Sequence, residues 1–336
     1  MKTNTVCAGI ILLASQLLFS CSKKTISPQH EKYLQFETIE EYTETLNLVM
    51  SMNEEERIVW EKQQGFVSFA SHSNQVYETI AEKELPVDEL KKEIVPYADY
   101  VQLKQEETGD YAFINTLESN PEQFLCNKNR IVQIGNKVYK LFDKNAVSTN
   151  VENISELTGL TEGNYLQSLN KNMQLTNNSS ELKDDAYKIS NKFFFIRPGS
   201  SRHIVERRND SGKNRTRIRV YFDQILKSTN HYKIHLRFDA GAYKKTFGVW
   251  YKAKRTISCN INILYDYKKN SMPWQRKGTF SYYNPGTRTY SISGELDSFD
   301  SPINLGNDRL HFAALRCWAK TPDTDYVKIY HNTEFF

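Results

Sequence analysis

The residue types that could do chemistry are present but scattered along the chain. Seven histidines occur, His30, His72, His203, His231, His235, His311 and His331, none in an HExxH pairing, and there is no CxxC. His231 and His235 share a strand parity, but four residues of extended chain span about 13 Å, too far for one ion to bridge. Asp297, Asp300 and Asp308 do not form an EF-hand pattern. No metal site and no cofactor are therefore expected. A GxSxG elbow, a phosphate loop and a dinucleotide fingerprint are all missing. The glycines and lysines of GAYKKTFG, 241–248, lie between strand-like runs and read as a hairpin loop. Hydrolysis of a glycosidic bond would need two carboxyl groups about 5 to 9 Å apart. Asp223, Asp239, Asp266 and Glu295 lie in or beside strand-like runs, and sequence spacing pairs none of them.

Aromatic side chains offer a different chemistry, recognition of the C–H faces of sugars, with amides and guanidiniums holding the hydroxyls. Trp250, Trp274 and Trp318 accompany Tyr251, Tyr265, Tyr282 and Tyr283 in the second half. In MPWQRKG, 272–278, Trp274 stands in a polar context beside Gln275 and Arg276, whereas Trp318 is readily explained as core packing. The candidate ligand-binding residues are Trp274, Gln275, Arg276, Tyr282 and Arg215. The basic cluster RHIVERRNDSGKNRTRIR, 202–219, alternates charge with Ile218 and Val220. It reads first as the solvated face of a hairpin turning at Asn209-Asp210-Ser211-Gly212, and second as a site for an anionic ligand.

Charge is unevenly divided. Residues 1–186 carry 17 Lys and Arg against 28 Asp and Glu, a net of −11; residues 187–336 carry 27 against 12, a net of +15. Such asymmetry fits two bodies with different surfaces that dock on each other, or a second body that meets an anionic partner. No zinc finger, RNA-sheet signature or basic heptad accompanies the basic half, so nucleic acid is not an expected partner.

The elements that would position these residues change character along the chain. FETIEEYTETLNLVM places Phe36, Ile39, Tyr42, Leu46 and Val49 at helical spacing. Ser51 and Glu54 suit a capping box for EEERIVWEKQQ, which Gly65 ends, and Asp88 suits the cap of DELKKEI. NRIVQIGNKVYKLF predicts a hairpin turning at Gly135-Asn136. From RIRVYF onward the apolar period is two, through YKIHLRF and the long run from Phe247 to Tyr265, which must bend near Lys254 because it exceeds an ordinary strand. Seven or more strands point to a β-sandwich. The expected fold class is an α+β N-terminal region followed by an all-β, sandwich-like domain. Its expected parts are a leader over 1–20, a tether over 21–35, a mainly helical α+β domain over 36–175, a linker over 176–186 and a sandwich over 187–336.

Five cysteines are present. Cys7 lies within the leader. If any bridge forms, Cys259 and Cys317 are its pair, but buried free thiols packing in a core are the favoured reading of Cys126, Cys259 and Cys317. The fifth, Cys21, ends an apolar run of about twelve residues, short of the roughly 20 that cross a bilayer. The tetrapeptide LFSC, Leu18–Cys21, resembles the lipobox of bacterial lipoproteins. That resemblance implies cleavage before Cys21 and acylation of its sulfur and new terminus, with palmitate-type chains as the membrane anchor.

Together with the lipobox, MNEEERIVWEKQQGFVS and IVQIGNKVYK resemble uncharacterised outer-membrane lipoproteins of Bacteroidota, whose helical N-terminal part precedes a β-rich C-terminal region. The resemblance implies a lipid-anchored place in the bacterial outer membrane and supplies no catalytic residue. Ser22-Lys23-Lys24 follow Cys21 where surface-exported members of that group often carry acids, so a periplasm-facing or surface-exposed position is left open. The reading is a non-enzymatic cell-envelope lipoprotein with a binding or assembly module for an envelope glycan or protein. Its alternative is an envelope hydrolase acting on glycans through an unrecognised carboxylate site.

Overall fold

The computed structural model describes residues 32–335 other than 119, 144, 178–195, 198, 199, 230, 269–274 and 302–308. The leader and Cys21 lie outside the described residues, as does most of the linker expected over 176–186. In chain order, β1 (Gln35–Phe36) precedes four helices, α1 (Ile39–Ser51), α2 (Glu54–Gln64), α3 (Phe69–Ala81) and α4 (Val87–Glu93). Then come β2 (Val101–Gln105), β3 (Tyr111–Asn115), β4 (Ile131–Ile134), β5 (Lys137–Leu141) and β6 (Asn145–Asn150). A single turn, α5 (Ser155–Thr158), and β7 (Gln174–Asn177) complete this half. The remainder is all strand: β8 (Ser201–Ser211), β9 (Asn214–Ser228), β10 (His231–Thr246), β11 (Val249–Lys252), β12 (Arg255–Lys268), β13 (Gln275–Thr289), β14 (Ser291–Ser301), β15 (Arg309–Lys320) and β16 (Val327–Phe335). No helix among the described residues is long and apolar enough to cross a membrane.

Local chemistry sets the boundaries. Thr38 caps α1 through the backbone of Glu41. The capping box of α2 is Asn53 with Glu56, two residues beyond the expected Ser51 and Glu54. Asn53 takes the place because its carbonyl reaches the Glu56 N–H while Glu56 reaches back to the Asn53 N–H. Gly65 ends α2 in the left-handed region, as expected. Pro86, not Asp88, occupies the N-cap of α4 and makes no side-chain cap, while Asp88 falls in the first turn and complements the helix dipole there. The β8–β9 hairpin runs to Ser211 opposite Asn214, so its turn is Gly212-Lys213 and not the four residues expected. Gly212 takes φ +59 at the first central position, which glycine adopts without strain. GAYKKTFG is likewise strand as far as Thr246 before a tight Phe247-Gly248 turn into β11.

The sheets explain the fold class. β12 sits centrally in a four-stranded antiparallel sheet of order β13-β12-β15-β16. It packs against the long strands β8, β9, β10 and β14, whose alternate residues Val220, Phe222, Ile234, Leu236 and Phe238 meet Ile257, Cys259, Ile261, Cys317 and Ile329. This is the expected sandwich, an α+β portion followed by a sheet-rich one. Cys259 and Cys317 are free and buried in its core, with Cys317 opposite Ile261 and Cys259 opposite Ala319.

The opposite face of the long sheet is covered in turn. Ile204, Tyr221 and Ile225 pack with Leu46, Val49, Phe69 and Leu125 from the N-terminal half. The same sheet also runs on through β11 into β3 and β2, with Val249 opposite Tyr111. Residues Tyr33–Phe336 accordingly form one compact unit. A smaller sheet, β1-β4-β5-β6-β7, carries the predicted hairpin at Gly135-Asn136.

Candidate functional site

Strict alternation along β12 places Ile257, Cys259, Ile261 and Ile263 in the core, so Thr256, Ser258, Asn260 and Asn262 must face outward. Register then builds rows across that outer face. Tyr283, Asn260, Trp318 and Lys328 stand opposite one another across β13, β12, β15 and β16. Ser281, Asn262 and Arg316 form the next row, and Ser258 pairs with Lys320. Tyr283 is 64% exposed and Tyr326, just before β16, 45%. Trp318 is half-buried and packs edge-on against Tyr326, with ring centroids 5.1 Å apart. The expectation that Trp318 belongs to the core is thus corrected. Its neighbours Cys317 and Ala319 take the inward positions, and strand parity turns the indole out.

One end of this face opens into a groove of about 340 Å³ lined by Thr256, Ser258, Lys320, Thr321, Pro322, Thr324, Asp325 and Tyr326. The Lys320 ammonium lies 4.7 Å and that of Lys328 5.5 Å from the centroid of the Tyr326 ring. Gly286 on β13 backs the groove from the other side: a Cβ there would meet Thr256 Cγ2 at 3.0 Å and Ser258 Oγ at 3.3 Å. The Ser258 hydroxyl donates to the Pro285 carbonyl at 2.8 Å. The face offers rings, amides, hydroxyls and cations in one surface. It can stack a flat apolar ring face and hold the hydroxyls around it.

The residues expected to bind ligand fare differently. Trp274 lies outside the described residues. Gln275 and Arg276 begin β13 opposite Tyr267 and Asp266, at the far end of the strand from the groove. Tyr282 points inward, its ring 4.7 Å from that of Phe238. Arg215 is buried. Its guanidinium donates to both carboxylate oxygens of Glu106, at 2.7 and 2.8 Å, and also to Asp210, while lying 4.0 Å from the centre of the Trp250 ring. A side chain so held has no free donor face for a ligand.

Arg215 exemplifies most of the basic cluster, which is ion-paired in the interior and not a solvated face, with Arg208 and Lys213 left exposed. Arg202, Arg215, Arg217 and Arg219 are all buried. Arg219 pairs with Glu118 at 3.2 Å and Glu206 at 2.6 Å, and Arg217 and Lys252 each approach Glu118 at 3.5 Å. Glu106 and Glu118 come from the acidic N-terminal half, so the charge asymmetry is largely internal docking. Burial opposes the charge of Glu118, but Arg219, Arg217 and Lys252 together hold its carboxyl well below the usual range. Asp223 is likewise lowered, burial being overcome by Arg202 and by Arg237, whose Nε lies at 2.7 Å.

Two of the carboxylates considered for acid–base work are therefore accounted for structurally. Asp223 holds two arginines. Glu295 accepts or shares a proton with His235 Nδ1 at 2.7 Å, while Asn47 Oδ1 lies 2.9 Å from Nε2. The His235 ring is fully buried, with both nitrogens occupied. Asp239 carries one buried oxygen without a hydrogen-bond partner, and Asp266 pairs through its backbone with Arg276 and His311. A different interior acid was missed from sequence. Glu122 is buried beside Tyr42, whose hydroxyl donates at 2.8 Å, and the Ile196 N–H donates at 2.7 Å. Burial pushes its carboxyl up to about 8 against those hydrogen bonds. No sequence signal marked it, because its burial comes from partners 80 and 74 residues away.

No protein-family model matches the chain, and no curated protein matches it. A crystal structure of a DUF4848 family protein from Bacteroides thetaiotaomicron is similar over 88% of this chain and 96% of that one, at 11% identity and a TM-score of 0.27. Likeness at that level carries no argument about fold or function.

Proposed function

We propose that the protein is a glycan-binding lipoprotein of the bacterial cell envelope, held through Cys21 and engaging sugar with the outer face of its four-stranded sheet. The observation that carries the binding reading is the row of Tyr283, Asn260, Trp318 and Lys328 across four strands. Tyr283 and Trp318 sit two strands apart, about 10 Å at ordinary strand spacing. That suits stacking on successive sugar rings, while Asn260, Asn262 and Arg316 supply donors and acceptors for hydroxyls. An extended face of this kind fits an oligosaccharide laid along the sheet, and the groove beside Tyr326 fits its end. The anchor rests on the lipobox-like tetrapeptide, and acyl chains on Cys21 would keep the module at the membrane surface.

A polysaccharide-retardation gel or glycan array with the protein lacking residues 1–21 tests the reading. Trp318→Ala should abolish retention of whatever sugar the unaltered chain binds, and Tyr283→Ala should weaken it. Full retention by both variants, with unchanged thermal unfolding, would reject the platform.

A further inference from the structure

The outer face has a polarity as well as a shape. Its described outward positions on β12, β13, β15 and β16 include Arg288, Arg316, Lys320 and Lys328, and no acid. None of these four cations has a carboxylate partner among the described residues, whereas the cations beneath the N-terminal half are laced with acids. Lys320 and Lys328 bring two like charges to one ring, that of Tyr326. The ring quadrupole offsets such repulsion only in part. Of the two acids in the adjoining turn, Asp323 is taken by Arg255 at 2.9 Å, which leaves Asp325 as the one carboxylate lining the groove. Thr256 and Ser258 add hydroxyls to the lining, while the buried hydroxyls of Thr321 and Thr324 bond to each other and to Thr216. The groove thus has acceptors and donors for sugar hydroxyls, and beside it, against the Tyr326 ring, stand two ammonium groups that form no ion pair among the described residues.

Resting on the glycan reading, we infer that the ligand is an anionic glycan, and that Lys320 and Lys328 receive its carboxylate or sulfate at the mouth of the groove. The sugar ring stacks on Tyr326 and Trp318. Its hydroxyls meet those of Thr256 and Ser258, and Asp325 accepts from one of them. An anion between the two ammonium groups relieves their repulsion and makes charge-assisted hydrogen bonds, which are shorter and stronger than neutral ones.

The test uses matched pairs that differ only in charge: polygalacturonate against its methyl ester, and dextran sulfate against dextran, with polyglutamate as an anion that is not a sugar. Binding is measured by calorimetry or gel retardation at low and at moderate salt. The charged member of at least one pair should bind about tenfold or more tighter than its neutral partner, a difference of about 1.4 kcal/mol. That advantage should shrink with salt. Lys320→Gln with Lys328→Gln keeps much of each stem and should erase the difference between charged and neutral members, and Trp318→Ala should lower the binding of both. Which pair responds distinguishes carboxylate from sulfate.

Equal binding of charged and neutral members, indifferent to the lysine changes, overturns the anionic assignment and leaves the glycan reading standing. Polyglutamate bound as tightly as any sugar, with no effect of Trp318→Ala, overturns both. So does failure of all four polysaccharides to bind while polyglutamate is also ignored.

Discussion

Two basic regions of this molecule carry similar residues in opposite circumstances. On one face of β9, Arg215, Arg217 and Arg219 follow one another at every second position, and each meets acids delivered from elsewhere in the fold. On the outer face of the four-stranded sheet, Arg316, Lys320 and Lys328 also stand in neighbouring rows, facing water with no acid among the described residues to answer them. Both read as alternating charge in a strand. The difference arises from what covers each sheet face. The α+β portion lies over the first and brings Glu106 and Glu118 with it; no described element lies over the second. Buried cations must be paired, because an unpaired ion in a low-dielectric interior is strongly disfavoured. Exposed ones are free to meet a ligand. Net charge therefore locates a functional surface only after the internally matched charges have been removed from the sum.

The sharpest way to break this comparison is to take one carboxylate from the interior. Glu118→Gln removes the acid that Arg217, Arg219 and Lys252 share. Breaking a buried ion network from one side costs on the order of 3–5 kcal/mol, and urea unfolding should show it. The outward change Lys328→Ala should stay within about 0.5 kcal/mol, the usual range for exposed positions. Similar losses for the two would mean that the interior network is not closed, and the contrast would fail. Because Glu118 and Asp223 are held below their usual range, the stability they contribute is present above the unfolded-state range near pH 4. It is lost as pH falls through their lower folded values.

Much of this was legible in sequence, and the illegible part has a common cause. Helix-period runs in the first half, the Gly65 stop, the Gly135-Asn136 hairpin and the period-two strands are local patterns, and the structure reproduces them. The break near Lys254 is likewise where β11 gives way to β12. Which face of a strand is covered is not local. Alternation in 202–219 correctly separates two faces, yet nothing within that segment says that the charged one lies under another part of the chain. The same limit misplaced Trp318. Its parity puts it opposite Cys317 and Ala319, and only the position of the core across the sheet turns that parity outward. Trp274 drew notice because of its polar neighbours, a local signal. The rings that share a surface, Tyr283, Trp318 and Tyr326, come together only through register across four strands.

A smaller effect sharpens the comparison from the acid side. Glu122 is as buried as its paired counterparts but has no ion-pair partner among the described residues, and its carboxyl is pushed up to about 8 by burial. Between about pH 4.5, where the unfolded chain loses this proton, and about 8, where the folded chain does, folding takes up a proton. Stability contributed by the group therefore falls as pH rises through that window. Glu122→Gln keeps an oxygen to accept from Tyr42 and Ile196 and removes the titration. The variant should match the unaltered chain near pH 4 and exceed it increasingly toward pH 8, by about 1.4 kcal/mol for each pH unit crossed within that window. Thermal melts across that range provide the measurement. A constant difference between the two proteins would show that Glu122 is ionised in the fold.

A smaller effect than that of Glu122 falls on the outer face, where shape and not charge is altered. Gly286 takes φ +151, a conformation that side-chain-bearing residues rarely adopt, and it lies against Thr256 and Ser258. Gly286→Ala adds a methyl group within 3.0 Å of the Thr256 methyl. Relief requires β13 to shift or Thr256 to move into the groove it lines. The backbone strain alone costs on the order of 1 kcal/mol, which a calorimetric melt detects. Because both displaced side chains line the groove while Tyr283 and Trp318 stand on the rows beyond it, sugar affinity should drop only a few-fold. Loss of the groove's share with the platform's share intact is the signature of two adjoining subsites. Complete loss would instead mean that the groove and the aromatic row act as one rigid unit.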